Sequence, residues 1–164
     1  MSKQSVKTTP KGYHSMTPIV VVKDMRGAID FYKSAFGAEE TICMKKPDGS
    51  MGHVELKIGD SNFMLCDEMP DQGAISPETA GGCTGGYYLY VEKVDDVAAQ
   101  AEKAGAKVAE PVQDMFYGDR AGMFKDPFGH HWWIATHIED VEGEELNRRA
   151  EKAYQEMAAK KKAA

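Results

Sequence analysis

Residues 22–38, VKDMRGAIDFYKSAFGA, and residues 91–106, VEKVDDVAAQAEKAGA, carry the same order of signals: a strand end, an acidic turn, an amphipathic helix and a glycine stop. With one gap allowed the two stretches align at a spacing of 69 residues, and Phe63-Met64-Leu65 stands the same distance ahead of Trp132-Trp133-Ile134. Each trio follows a glycine-containing turn. A fixed internal period of this kind marks a duplicated structural unit. In the first copy Ala28, Ile29, Tyr32 and Phe36 recur at helical spacing until Gly37; in the second, Val94, Val97, Ala98, Ala101 and Ala104 do so until Gly105.

Working outward, β-rich residues 17–22 lead into the first helix. Strands follow over about 41–46, 53–58 and 62–66, separated by the turn signals Pro47-Asp48-Gly49-Ser50 and Gly59-Asp60-Ser61. The unit reads βαβββ. The second copy repeats it, with strands over 87–91, from 107, over 120–125 and over 130–136. Asp126-Pro127-Phe128-Gly129 suits a type I turn, which gives Asp126 a turn-making role. The expected fold is α+β: two paired βαβββ modules forming a curved mixed β-sheet cup, plus a C-terminal helix. The divisions are a loose arm at 1–13, modules at 14–68 and 86–138, a linker at 69–85 and the helix at 139–164, one domain overall. The glycine cluster Gly81-Gly82-Cys83-Thr84-Gly85-Gly86 precedes a strand and reads as flexible connection rather than a phosphate cradle. In the last segment Leu146, Ala150, Ala153, Tyr154 and Met157 make an apolar stripe, with acids ahead of it and Lys160, Lys161 and Lys162 behind, matching the helix dipole. That stripe packs either on its own domain or on a second subunit.

A formal charge of −6 over 164 residues argues against nucleic acid as a partner. The longest strongly aliphatic run, Ile19-Val20-Val21-Val22, is far short of a membrane span, and residues 1–18 lack a signal-peptide core, so a cytoplasmic protein is expected. Cys43, Cys66 and Cys83 form no CxxC spacing and read as reduced thiols. Each module alone is too small to bury an adequate core, so the two should share a sheet or pair across chains.

The stretches IDFYKSAFGAEE and GDRAGMFKDPFGHHWWIATH, set in paired βαβββ modules, resemble the vicinal oxygen chelate superfamily. This group includes glyoxalase I, extradiol dioxygenases, fosfomycin resistance enzymes and bleomycin resistance proteins, and the resemblance is nearest to its PhnB-like branch. It extends over about residues 13–140. The resemblance implies a small-molecule cleft and a homodimer in which modules of two chains complete each cavity. In metal-dependent members each module supplies one ligand from its first strand and one from its last. Carried over, these positions are Thr17 and Gly86, and Met64 and Trp133. Glycine and tryptophan offer no suitable atom, threonine is a poor ligand and methionine sulfur prefers soft ions. No metal or other cofactor is therefore expected.

Strand alternation places His131 and Ala135 on the face of Trp133, Tyr88 and Tyr90 on that of Gly86, and Asn62 and Cys66 on that of Met64. The expected ligand-binding set is Thr17, Met64, Gly86, Tyr88, Tyr90, Tyr117, Arg120, His131 and Trp133, with Gly86 leaving space. Such a wall suits an aromatic or cationic molecule. Tyr88 and Tyr90 serve either as packing or as pocket, and Trp132, like its repeat partner Phe63, reads as core. Phe116 to Arg120 is read as a mouth segment, in which Arg120 either holds an anion or bridges to Asp119. The competing reading is an enzyme: a lyase or dioxygenase with ligands relocated to His53, Glu55 and His131, or a metal-free acid–base catalyst using His131. A purely structural cavity filled by side chains is a third.

Overall fold

A computed structural model describes residues 7–163, and in the last helix the side chains as far as Lys160. Residues 1–6 of the expected arm and the side chains of Lys161 and Lys162 lie outside the described residues. The first module contains β1 (Ile19–Val21), α1 (Met25–Phe36), β2 (Glu39–Lys45), β3 (Met51–Ile58) and β4 (Ser61–Cys66). A one-turn 3-10 helix (Pro70–Gln72) and α2 (Pro77–Ala80) occupy the connection. The second module contains β5 (Gly86–Tyr90), α3 (Val94–Ala104), β6 (Lys107–Asp114), β7 (Asp119–Lys125) and β8 (His131–His137), and α4 (Gly143–Ala163) ends the chain.

Each module forms its own four-stranded mixed sheet, ordered β1-β4-β3-β2 and β5-β8-β7-β6. The repeat survives in the pairing. Ile19 sits opposite Met64 as Tyr88 sits opposite Trp133, a shift of 69 in both partners. On the neighbouring strands the shift is 68, since Glu55 faces Met64 while Met123 faces Trp133. The missing residue is the gap in the helical segment, and the longer turn at Asp126 restores it. Pro111, which has no N–H for the ladder, falls where the β6 register slips on an edge strand.

The modules do not share a sheet, which is one of the two solutions their size suggests. They share a core instead. Helix α1 packs against α3, and Val20, Ile29, Tyr32, Leu56 and Phe63 of one module join Val94, Phe124, Trp132 and Ile134 of the other in a single buried cluster. The ring of Trp132 lies 5.4 Å from Tyr32, 4.8 Å from Phe36 and 4.7 Å from Tyr87. Packing the two helices together, each over its own sheet, with Trp132 reaching Tyr32 and Phe36 of α1, solves the size problem without new strand pairs.

Polar groups lock this core. Asp126 is buried; its Oδ1 accepts the Phe128 and His130 amides, which makes the turn, while its Oδ2 accepts Tyr32 Oη at 2.7 Å and Trp132 Nε1 at 3.0 Å. The turn-making aspartate thus also ties the second module to α1 of the first. Burial and then Asp126 push the Tyr32 hydroxyl well above its ordinary pKa, so it stays a donor. Gln100 donates to the Ser34 and Ala35 carbonyls near the end of α1, and His130 Nε2 donates to Val21 O at 2.9 Å.

The connection between modules is structured. Ser76, buried, caps α2 by accepting from Thr79 N, and Glu68 accepts both its amide and its hydroxyl, which holds the Glu68 carboxyl down to about 2. Helix α4 is anchored at its start by Arg149, which pairs with Glu139 and Glu145. Farther along, Phe116 meets Tyr154 edge-on at 6.0 Å while Tyr154 and Met157 stay exposed.

Candidate functional site

Alternation on β8 turns Trp132 and Ile134 toward the helices, where both are buried, and leaves His131, Trp133, Ala135 and His137 on the opposite face. By register this face also carries Gly86, Tyr88 and Tyr90 of β5 and Asp119, Ala121 and Met123 of β7. Large and small residues are arranged in order across it. Tyr90 lies beside Ala135, which lies beside Ala121, and both alanines are fully buried. Two consecutive methyl-sized positions let the tyrosines reach across the sheet.

They reach Asp119. Tyr88 Oη and Tyr90 Oη each donate to Asp119 Oδ2 at 2.9 Å, Tyr88 and Tyr117 hydroxyls lie 3.3 Å apart, and His137 Nδ1 lies 2.7 Å from Asp119 Oδ1. His137 Nε2 contacts Asp140 at 2.9 Å. Asp119 is only 3% exposed. Burial alone would raise its pKa, but the bonds from His137, Tyr90 and Tyr88 outweigh that and lower it. His137 is raised by Asp119 and then by Asp140, whereas Tyr88 is raised by burial and its bonds to Tyr117 and Asp119, and Tyr90 chiefly by Asp119. The cluster therefore holds an ionised carboxylate beneath neutral phenols. The two rings, 5.1 Å apart at their centroids, remain 43% and 61% exposed and border a crevice of about 710 Å³ between the modules. Phe36, Tyr87, Leu89 and Trp132 supply its apolar wall, and Asp60, Asn62 and Glu92 its polar rim.

The equivalent face of the first module carries Thr17, Ile19, Ile42, Met44, His53, Glu55 and Met64. Residues 8–15 lie over part of it, with the Gly12 carbonyl accepting from the Asn62 amide, and flank a second, open pocket of about 530 Å³. Thr17 and Met64 line it together with Ile42 and Glu55. Glu55 Oε1 lies 3.1 Å from His53 Nε2.

The expected residues therefore separate into two groups. Thr17 and Met64 share the pocket on the first module; Gly86, Tyr88 and Tyr90 share the crevice, with Tyr117 beside Tyr88. Gly86 leaves space for a side chain rather than a ligand, because a Cβ there would sit 2.4 Å from Trp133 Cζ3. His131 stands edge-on to Trp133 at 6.5 Å, half-buried. Arg120, being adjacent to Asp119 on a strand, points to the other face, where its guanidinium pairs with Asp95 and Asp114. It neither bridges Asp119 nor offers a free fork to an anion. Sequence reasoning missed Asp119 and His137 as members of the tyrosine cluster, although alternation from Trp133 to His137 carried the signal.

A hard divalent ion does not fit the four positions where the resemblance would hold one, since their donors are a hydroxyl, a thioether, an indole and no side chain at all. Nor do His53, Glu55 and His131 converge; among the described residues no three His, Cys, Asp or Glu side chains come together as a metal set. Cys66 is buried and its thiol is raised by burial and then by Asp67, and among the described residues the three cysteines are free. No helix among the described residues is long and apolar enough to cross a membrane.

Known proteins match this architecture. An uncharacterised protein of Mycobacterium tuberculosis is 36% identical over 135 residues, covering 80% of this chain and 79% of that protein. An uncharacterised Arabidopsis thaliana protein is 31% identical over 125 residues, covering 71% of this chain and 74% of its own. Its crystal structure superposes with a TM-score of 0.60 over 75% of this chain and 98% of that one. The fosfomycin resistance protein FosX of Listeria monocytogenes, solved with Mn(II) and sulfate, is 16% identical with a TM-score of 0.58, covering 75% of this chain and 91% of its own, a likeness of fold alone. The model of the glyoxalase/bleomycin resistance protein/dioxygenase superfamily matches residues 13–134, and with the duplicated modules and these relatives this places the chain in that superfamily.

Proposed function

We propose that this protein binds a small organic molecule, aromatic or cationic, in the crevice between its modules, without the metal site of its catalytic relatives. The observation that carries the reading is the pair of exposed rings, Tyr88 and Tyr90, locked by their hydroxyls to buried Asp119. A phenol that donates to a carboxylate has a more electron-rich ring, and an anion behind two such rings favours a cation in front of them. Binding to preset rings also loses little side-chain entropy. Asp60 and Glu92 on the rim add to the negative field.

The reading includes a homodimer. Ile19, Ile42 and Met44 on the first module's face and Tyr88 and Tyr90 on the second's are exposed large apolar residues, and β1 and β5 are edge strands. A second copy that sets one face against the other would cover both. Light scattering at micromolar concentration should return twice the mass of 18.1 kDa. Free cysteines support a reducing, cytoplasmic setting, and the acidic charge supports a small-molecule partner over nucleic acid.

The test is calorimetric titration with N-methylquinolinium beside its neutral isostere 1-methylnaphthalene. The cation should bind saturably and more tightly, and the double variant Tyr88→Ala/Tyr90→Ala should lose about 1–2 kcal/mol of binding free energy while remaining folded. Equal affinity of the variant and the parent would move the site away from these rings.

A further inference from the structure

Helix α4 is the longest helix of the chain, and the core does not use it. None of its described residues joins the buried cluster, and among the described residues it makes no extended contact with another helix or strand. Its root is nevertheless fixed. The Ile138 and Glu139 amides both donate to the Gly118 carbonyl, a Cβ at Gly118 would collide with the Glu139 carbonyl, and Arg149 ties the first turns to Glu139. From there the helix runs for 21 residues, a length of about 31 Å at the usual rise per residue. A helix standing alone in water is marginal, and exposed pairs such as Glu145 with Arg148 add little to it.

The stripe on α4 shows where the missing support lies. Leu146, Ala150, Ala153 and Met157 keep to one side of the helix. Near the root that side is half-buried, at Leu146, Ala150 and Ala153, whereas every residue from Tyr154 to Lys160 is exposed. The side that rests on its own domain therefore continues beyond the edge of that domain, with Tyr154 and Met157 left uncovered.

We propose that the second half of α4 is an arm that packs on a second copy of this chain, along strand β2 of that copy's first module. The proposal rests on the dimer reading and adds which segment crosses. Continuity favours a second copy as the occupant. The Tyr154 ring meets Phe116 at 6.0 Å, Phe116 meets Tyr117 at 5.2 Å, and the Tyr117 and Tyr88 hydroxyls lie 3.3 Å apart. An aromatic surface thus joins the arm to Tyr88 and Tyr90, so a copy seated on those rings borders the arm. Charge favours it as well. In a chain of formal charge −6, the stretch after Glu156 carries Lys160, Lys161 and Lys162 and no acid, which suits an acidic surface such as the rest of the chain presents. Strand β2 answers both features. It is an edge strand with all 7 residues exposed, its Ile42 and Met44 lie on the face that the dimer sets against the tyrosines, and Glu39 and Glu40 stand at its start. A long exposed edge strand is itself a surface that folds tend to cover.

The experiment uses the full chain in sedimentation velocity over a concentration series. Tyr154→Glu/Met157→Glu alters two exposed side chains and should raise the dimer dissociation constant at least tenfold, with the sheet signal in circular dichroism unchanged. Lys160→Glu should raise it at low salt and have little effect at high salt. In the otherwise unaltered chain, Met157→p-benzoylphenylalanine should photocross-link two copies through residues 39–45 of the second, a readout that stands even if the glutamate variant frays. An unchanged dissociation constant in Tyr154→Glu/Met157→Glu would overturn the arm and leave the dimer standing, whereas a parent chain that is monomeric throughout would overturn both. Cross-links to α4 of the second copy would overturn the proposal in favour of helix-to-helix pairing. A monomeric parent that sediments with phosphatidylglycerol vesicles, and ceases to in Lys160→Glu, would overturn it in favour of a lipid surface.

Discussion

The two sheet faces share one register and treat their acidic groups in opposite ways. On the second module Asp119 is buried under Tyr88, Tyr90 and His137 and accepts from all three. On the first, Glu55 is equally buried, meets one histidine and leaves an oxygen alone. At the position of Tyr88 the first module has Ile19, and at the position of Glu55 the second has Met123. Duplication preserved the backbone while the acidic side chain stands at a different place on equivalent strands, Glu55 of β3 matching Met123 and Asp119 of β7 matching Met51. A face whose carboxylate is satisfied is a finished floor, and a face whose carboxylate is not is an open demand for a donor.

The largest test of the comparison concerns what lies behind the floor. Trp132→Ala should lose about 3–5 kcal/mol in denaturant unfolding, because it empties a site packed by Tyr32, Phe36 and Tyr87 from both modules. Trp133→Ala, half-buried on the other face, should cost less than half of that. A reversed order would exchange the strand faces.

The two carboxylates should then respond with opposite sign. Asp119→Ala leaves three donors without their acceptor and should destabilise by about 2 kcal/mol, whereas Glu55→Met, of similar volume and with no orphan oxygen, should stabilise by about 1 kcal/mol. Two losses of equal size would show that Glu55 has a partner in solution and would erase the contrast. Gly86→Ala comes next, at about 1–2 kcal/mol, because the new methyl must displace the Trp133 ring. The first module has Thr17 at that place, and Thr17→Ala should be nearly silent.

The smallest effect is in pH. The His137 pKa is raised, so its contribution is complete below its ordinary 6.5 and is lost as pH rises through the raised value. The Asp119 pKa is lowered, so its contribution is complete above the ordinary 3.8 and is lost as pH falls through the lowered value. The pair is therefore strongest between 3.8 and 6.5. The melting temperature should decline from pH 6 to pH 9 in the parent and more shallowly in His137→Gln, as followed by circular dichroism.

The primary structure by itself determined the modules, their strand faces and the core role of Trp132 and Phe63. These depend on periodicity and on a repeat, and both are local or directly comparable along the chain. It also determined that Thr17, Met64, Gly86 and Trp133 lack the donors for a hard metal, which is a matter of residue type. Alternation on β7 and β8 already held Asp119 and Arg120 apart and His137 on the face of Trp133, so part of the tyrosine cluster was legible there. Only the tertiary structure decided that Asp126 reaches across to Tyr32, that Arg120 is spent on Asp95 and Asp114, that Trp133 fills the space at Gly86, and that residues 8–15 roof Glu55. Each of these is a pairing between segments far apart in sequence, or a test of whether a buried atom has a partner. Such contacts follow from where whole elements pack, which no window along the chain contains.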